Sequence, residues 1–420
     1  MQGKALPGFR DFYPEEAAFR NRIFATWRAV AGRYGFEEYD GPPLEPLDLY
    51  TQKSGPEIVG QLYEFTDKGE RRVALRPEMT PTLARMVGAH AQALKKPIRW
   101  FSMPQLFRYE RQQRGRLREH FQLNMDIIGE PSAGADAEII AAAVDVMRAF
   151  GLGPRDVRAR VSDRRVLVAA LRRAGVKDDE VPAVLGALDK VAGAPEHAAE
   201  LVGKALGGDA RRAKSTLEAV GPGRDDSTLL ASAEAEALNE SLARLRAMGL
   251  GEFVDVDFGI VRGLAYYTGI VFELFDAGQT LRAICGGGRY DDLLKQISGV
   301  DLPCVGFGMG DVVLGELLKE RQAPAPPAPR LDVFVVAVGA DDMPAALALV
   351  HTLRDQGRAV EYALHPQAVR KQLELAAARG ARRAVIIGPD ERKNGHAVVR
   401  DLNAGSETKV PLDAVGAAVV

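Results

Sequence analysis

The sequence predicts an α+β protein in two parts, a long first part and a small α/β unit at its end. Three observations carry this. Apolar, strand-like runs flank polar loops at 97–129 and return from 253. Between them, the region 163–250 is rich in Ala, Leu, Glu and Arg, with helical spacing and no strand pattern, so it reads as an inserted helical module. Beyond QAPAPPAPR at 322–330, an extended and semi-rigid spacer, strands and helices alternate.

Taken in order, residues 15–36 form an amphipathic helix, because Phe19, Ile23, Phe24, Trp27 and Val30 recur near helical spacing. GPPLEPLDLY at 41–50 has too many prolines for a helix interior and reads as extended chain. A short strand at 72–76 leads through a Pro–Glu turn to a helix from about Thr80, with Thr80 as N-cap and Pro81 at the first helical position. Residues 97–110 and 117–129 are two strands around the polar loop QQRGR, and a helix at 133–150 follows. Strands return at 253–258, 267–276 and 281–286, ahead of the glycine run GGGRYDDLL. From 331 to 420 the order strand, helix, strand, helix, strand predicts a small domain with a mainly parallel sheet.

The totals narrow the function. At 420 residues there is room for two or three cores. The net charge of −2 excludes a generally basic nucleic-acid coat, though not a local basic loop. The last part is nearly neutral, so charge alone does not make it an RNA binder. Cys285 and Cys304, the two cysteines, stand in different motifs without metal-type spacing, which predicts reduced thiols and a cytoplasmic setting. The start, MQGKALPGFRDFYPEE, has charges and prolines where a secretion signal needs an apolar run. No apolar stretch reaches the roughly 18 residues of a membrane span.

The most informative segment is FRYERQQRGRLREHFQLNMD at 107–126. Its loop carries Arg111, Arg114, Arg116 and Arg118. Strand side chains alternate between faces, so Arg108 and Glu110 share one face with Leu106 and, on the return strand, with His120, Gln122, Asn124 and Asp126. Four polar residues facing one way are not a core. With Arg108 and Glu110 beside them they read as a binding floor.

FRYE, a basic loop and a polar return strand resemble motif 2 of the class II aminoacyl-tRNA synthetases. RGLAYYTGIVFE (262–273) and AICGGGRYDDLL (283–294) resemble the two histidine-specific motifs of the histidyl-tRNA synthetases, and LRPEMT (75–80) matches the strand and turn that hold the amino acid's ammonium group. GFRDFYP and the helical insertion also fit, so the resemblance covers essentially the whole chain.

This resemblance implies a class II catalytic domain over 1–321 with a mainly antiparallel sheet, a linker, and an anticodon-binding domain over 331–420. The implied substrates are L-histidine, ATP with Mg²⁺, and tRNA(His), and the implied assembly is a homodimer formed through the first helix and GPPLEP. Arg108 and Arg262 become the catalytic cations on the α-phosphate. Glu78, Thr80 and Gln122 hold the α-ammonium. Asp126 and Tyr266 bond the imidazole nitrogens, and Tyr267 shapes the pocket or packs. Nucleotide contacts fall to Arg108, Glu110, Arg116, Arg118, His120 or Phe121, Gly286, Gly287, Gly288 and Arg289, the last as a site cation or a pin for its loop. No metal is held by protein alone, with Glu110 as the candidate ligand for Mg²⁺. In the last domain Arg370 and Lys371 start a helix that could meet the anticodon.

Four departures from the family pattern stand out. Ala265 replaces the usual acid before the tyrosines, and Asp126 stands where Glu is common. The residue expected on adenine falls at His120, and a one-residue slip would exchange it with Phe121. GFGMGDVVLGELL (306–318) has Asp311, Val312 and Val313 where motif 3 carries Glu-Arg on a helix, so the arginine expected near adenine and the γ-phosphate is missing. The alternative is a non-catalytic, histidine-sensing paralogue such as the regulatory subunit of ATP phosphoribosyltransferase. That protein typically lacks the C-terminal domain.

Overall fold

The computed structural model describes residues 3, 5–51, 59–111, 113–191, 195–221, 226–261, 266–322 and 331–419. Arg262 and Ala265 lie outside the described residues, as does most of the proline-rich spacer. The chain divides into two units, Met1–Ala325 and Pro326–Val420.

In the first unit the strands are β1 (Glu37–Glu38), β2 (Leu44–Pro46), β3 (Tyr63–Thr66), β4 (Arg72–Leu75), β5 (Ile98–Ser102), β6 (Gln105–Phe107), β7 (Glu119–Ile128), β8 (Val157–Asp163), β9 (Val254–Val256), β10 (Ile270–Asp276), β11 (Cys285–Arg289) and β12 (Cys304–Gly310). β2, β4 and β3 make a small antiparallel sheet; the rest form one sheet in the order β1-β5-β7-β12-β11-β10-β8-β9, with β6 also on β7. Among the described residues of this unit, only β1–β5 and β8–β9 pair in parallel.

β7 organises this sheet because its two faces differ in kind. Leu123, Met125 and Ile127 are buried in the core, while the residues between them are polar. The core side is covered by helix Pro14–Arg33, which buries Ile23, Trp27, Val30 and Ala31, and by helix Ala133–Ala149. Ala137, Ala141, Ala142 and Ala143 of that second helix are fully buried, and their small side chains allow close approach to the sheet.

Several elements differ from expectation. The strand at 97–110 is two strands, broken at Met103–Pro104, because Pro104 has no N–H for the ladder. Arg108 and Glu110 therefore lie past the end of β6, in a turn where the Glu110 N–H donates to the Arg108 carbonyl at 2.8 Å. The helix N-cap position falls on Met79 rather than Thr80. The expected strand at 281–286 begins only at Cys285, and the glycine run is itself strand β11. β8 escaped the sequence reading although its inward Val157, Ala159 and Val161 alternate with arginines. The insertion is helical from Arg164 to Ala247 among the described residues, with starts capped by Asp163 and Asp209.

β11 is pinned by Arg289. Its guanidinium is buried and donates to Asp136 of helix Ala133–Ala149 at 2.7 Å, to the carbonyls of Glu130 and Ser132, and to Asp291. Arg289 is thus a brace between sheet and helix, not the nucleotide contact the sequence also allowed. Its donors are already committed to protein acceptors.

In the second unit, β13 (Val333–Ala337), β14 (Val360–Tyr362), β15 (Arg383–Ile387), β16 (His396–Asp401) and β17 (Glu407–Pro411) are ordered β14-β13-β15-β16-β17. The β14–β13 and β13–β15 pairs are parallel, but β15–β16 and β16–β17 are antiparallel, so the sheet is mixed rather than mainly parallel. The segment between β15 and β16 holds only helix Pro389–Asn394, too short for a crossover, and the chain turns back at Gly395 with φ +66.

The buried Arg289–Asp136 pair yields a test. Arg289→Met leaves the Asp136 carboxylate buried without its cation, and the first unit should lose about 3–5 kcal/mol of stability. Thermal unfolding should show this, and adding Asp136→Asn should recover part of it.

Candidate active site

β7 presents His120, Gln122, Asn124 and Asp126 to a cavity of about 1140 Å³ in the first unit. The floor beside these residues is made of glycine. In the β7–β12 register Gly306 lies opposite Asp126, Gly308 opposite Asn124 and Gly310 opposite Gln122. A Cβ on Gly306 would stand 1.9 Å from Asp126 Oδ1, and one on Gly308 would stand 2.7 Å from the Gln122 amide carbon. The side chains of Asp126 and Gln122 therefore lean across β12 into space that a side chain there would fill. Gly286 of β11 continues the floor.

One end of the cavity is acidic and enclosed. Asp126 is 5% exposed and accepts a 2.5 Å hydrogen bond from the Tyr290 hydroxyl. Burial pushes its carboxyl up to about 7, against the pull of the Tyr290 bond. Glu78 comes from the turn after β4 and accepts from the Tyr266 hydroxyl at 3.3 Å. Thr80, in the first turn of helix Thr80–His90, lines the same wall. Tyr267 is buried, lines the cavity, and lies 5.1 Å from Tyr266 between ring centroids. Glu78, Thr80, Gln122, Asp126, Tyr266 and Tyr267 thus converge, although three separate segments supply them.

Tyr290 is the residue the sequence reading missed. It lies within AICGGGRYDDLL, and its signal was a phenol at the end of a glycine strand that must pack close to the floor. Tyr290 bonds Asp126, while Tyr266 bonds Glu78.

The other end is basic and more open. Arg108 donates Nε to the Pro77 carbonyl at 2.8 Å, leaving its terminal nitrogens without a carboxylate partner among the described residues. Glu110 is buried and ion-paired with Arg116, and both line the cavity. His120 lines it too. Burial, with the Arg108 and Arg10 cations, lowers its imidazole to about 3, so the ring is neutral at pH 7. Arg114 is held by Glu316 at 3.3 Å and by Glu320, while Glu316 also accepts the Gly115 N–H at 3.1 Å.

Several expected nucleotide contacts fall elsewhere. Phe121 faces the core, where its ring packs on Phe24 at 5.1 Å and on Phe12 at 6.2 Å. The register therefore gives the cavity to His120. Arg118 stacks over Tyr109 at 4.0 Å, donates to the Glu110 carbonyl, and does not line the cavity. Gly287 and Gly288 are needed by the sheet: a Cβ would stand 2.4 Å from the Gly306 carbonyl oxygen or 2.6 Å from that of Ile270.

LREH (117–120) and MGD (309–311) also meet. Arg10 bridges Glu119 at 2.6 Å and Asp311 at 2.9 Å, and Asp311 accepts the Phe121 N–H at 2.8 Å. Asp311 thus ties the start of helix Asp311–Glu320 to β7 and to the N-terminal segment.

A mainly antiparallel sheet with a polar, glycine-floored cavity, acidic at one end and arginine-lined at the other, is the arrangement of a class II aminoacyl-tRNA synthetase catalytic domain. The family pattern of histidyl-tRNA synthetase matches residues 8–310, and that of an anticodon binding domain matches 332–420. The chain is 47% identical to the histidine–tRNA ligase of Opitutus terrae over 99% of its own length and 98% of the relative's. It is 41% identical to the chloroplastic/mitochondrial histidine–tRNA ligase of Arabidopsis thaliana, over 96% and 84% of the two chains. The crystal structure of histidyl-tRNA synthetase from Nostoc sp. PCC 7120 superposes with a TM-score of 0.81 at 25% identity, covering 100% and 99%. The chain belongs to the histidyl-tRNA synthetase family.

The Asp126–Tyr290 pair can be tested directly. In protein carrying ¹³C-labelled aspartate, the Asp126 carboxyl should titrate near 7. Tyr290→Phe removes the bond that favours the ionised form, so the midpoint should move upward.

Proposed function

We propose that this protein attaches L-histidine to tRNA(His) by way of a histidyl-adenylate, and that the cavity over β7 is where both steps occur. One observation carries this reading: along β7 the cavity passes from the buried carboxylates Glu78 and Asp126 to Arg108 and Arg116 beside His120. Free histidine offers matching groups, with the imidazole at one end and, at the other, an ammonium and a carboxylate on one carbon that can face different walls. Glu78, Thr80 and Gln122 take the ammonium. Asp126, steadied by Tyr290, takes an imidazole N–H. The substrate carboxylate then faces Arg108 and the nucleotide.

In the first step a carboxylate oxygen of histidine attacks the α-phosphorus of ATP. A new O–P bond forms as the bond to pyrophosphate breaks. The carboxylate is ionised at pH 7, so no general base is needed. The need is for cationic compensation at the phosphoryl group, which Arg108 supplies and which the family resemblance also assigns to Arg262. Neutral His120 and the glycines beside it offer a flat surface for adenine. Mg²⁺ enters with ATP. Phosphate oxygens are its main ligands, with Glu110, which is ion-paired with Arg116, as the candidate protein ligand. In the second step the 3′-hydroxyl of the terminal adenosine attacks the activated carbonyl and releases AMP.

The wider assignments follow the family. The helical insertion closes over the acceptor stem, the loop 112–116 meets the end of the tRNA, and the second unit takes the anticodon. In that unit Arg370 and Lys371 start the exposed side of helix Val369–Ala378, with Arg370 paired to Glu374 at 2.9 Å. A homodimer formed through helix Pro14–Arg33 and the extended segment after it, and action in the cytoplasm, belong to the same reading. No described helix is long and apolar enough to cross a membrane.

The primary test is histidine-dependent exchange of labelled pyrophosphate into ATP, with charging of tRNA. Both should occur; a histidine-sensing paralogue would do neither. Arg108→Ala should lower the exchange rate by about 10²–10³ with little change in the KM for histidine.

The pH dependence follows from Asp126. Its carboxyl is the acceptor only when ionised, so as pH falls through about 7 the KM for histidine should rise. The substrate's own ring protonates near 6.5 and adds its own inflection. Asp126→Asn should have a high KM that keeps the substrate's inflection and loses the enzyme's.

A further inference from the structure

The nucleotide end of the cavity raises a question of charge. The triphosphate of ATP is strongly anionic, yet most arginines around this end are already neutralised. Glu110 holds Arg116, Glu316 and Glu320 hold Arg114, and Glu119 and Asp311 hold Arg10. The helix that follows the glycine-rich strand contributes Val312 and Val313 to the cavity and no cation.

Arg282 is different. It stands between β10 and β11, is exposed, and lines the cavity. It has no hydrogen-bond or carboxylate partner among the described residues. Its position relative to the helix is the decisive point. A Cβ on Gly115 would stand 3.2 Å from Val313 Cγ2 and 3.9 Å from Arg282 Cδ. Arg282 and Val313 therefore meet over the same glycine of the motif 2 loop. A guanidinium from position 282 reaches the region that a side chain from the start of helix Asp311–Glu320 would otherwise command.

We propose that Arg282 is the β,γ-phosphate clamp of this enzyme, supplying from the segment before β11 the cation that its third motif lacks. The proposal rests on the reading of this cavity as the ATP site. An arginine suits the task because its planar fork can hold two phosphate oxygens at once, and its charge does not titrate. Its exposure at the cavity lining suits a group that takes a polyanion and does not brace the fold. The clamp contacts only the part of ATP that leaves, so it acts on ATP and pyrophosphate and has no hold on the adenylate.

That asymmetry defines the experiment. Arg282→Gln should raise the KM for ATP, and for pyrophosphate in the reverse direction, by about ten- to a hundredfold. The KM for histidine and the affinity for a non-hydrolysable histidyl-adenylate analogue, which has no β- or γ-phosphate, should change by less than about twofold. The double variant R282Q/V313R should recover most of the ATP affinity, because the cation returns from the neighbouring position. An unchanged KM for ATP in Arg282→Gln, or an equal loss of affinity for the analogue, would overturn the proposal while leaving the ATP site standing. Wild-type protein in which the analogue fails to compete with ATP would overturn the reading of the site itself.

Discussion

The site exists because one strand beside β7 has no side chains on the cavity face. Asp126 and Gln122 lie over Gly306 and Gly308, in space that even a methyl group would close. Each glycine in a strand interior costs roughly 0.5–1 kcal/mol relative to alanine, so a run of them is an expensive way to build a sheet. The cost is offset on the other face. There Leu123, Met125, Ile127, Val305, Phe307 and Met309 are buried under the two long helices. β7 and β12 are thus divided along their length, apolar below and carved above. The same period-two rule produces both the core and the cavity.

The electrostatics follow from that geometry. Burial of Asp126 shifts it from 3.8 to about 7, a penalty of about 4 kcal/mol against the ionised form. A group this costly is repaid when a complementary donor enters the pocket, which is how a polar pocket discriminates against substrates that leave it unpaired. The other end has the opposite problem, an excess of arginine. The protein answers it with acids that hold the loop arginines in place, Glu110 on Arg116 and Glu316 with Glu320 on Arg114. The motif 2 loop is therefore ordered by ion pairs within the chain. The Arg10 bridge to Glu119 and Asp311 does the same for the N-terminal segment. It gives a physical reason for LREH and MGD to occur in one chain: both acids need the same arginine.

Much of this was legible in the sequence. The alternation in HFQLNMD identified the floor, since a strand's two faces are written in its odd and even positions. It also favoured His120 over Phe121 without structural help. The helical insertion was plain from its periodicity. What failed was local. Pro104 broke a strand that propensity alone joined, and the glycine run looked like a loop because glycine is a poor strand former, yet close packing of β11 between β10 and β12 demands it. Arg289 stayed open between a site cation and a pin for its loop, because sequence shows a charge and not its partner. Asp136, 153 positions away, settles its role. Tyr290 was hidden for the same reason: its function depends on Asp126, 164 positions distant.

The central claim is that histidine and nucleotide lie end to end along β7, imidazole at Asp126 and phosphates beyond Arg108. The most direct test is a crystal structure with histidinol and ATP bound together. The account predicts the imidazole within hydrogen-bond distance of the Asp126 carboxylate, the α-phosphate on the Arg108 guanidinium, and adenine beside His120. An imidazole bound away from Asp126, or a nucleotide bound outside the glycine-floored cavity, would contradict it.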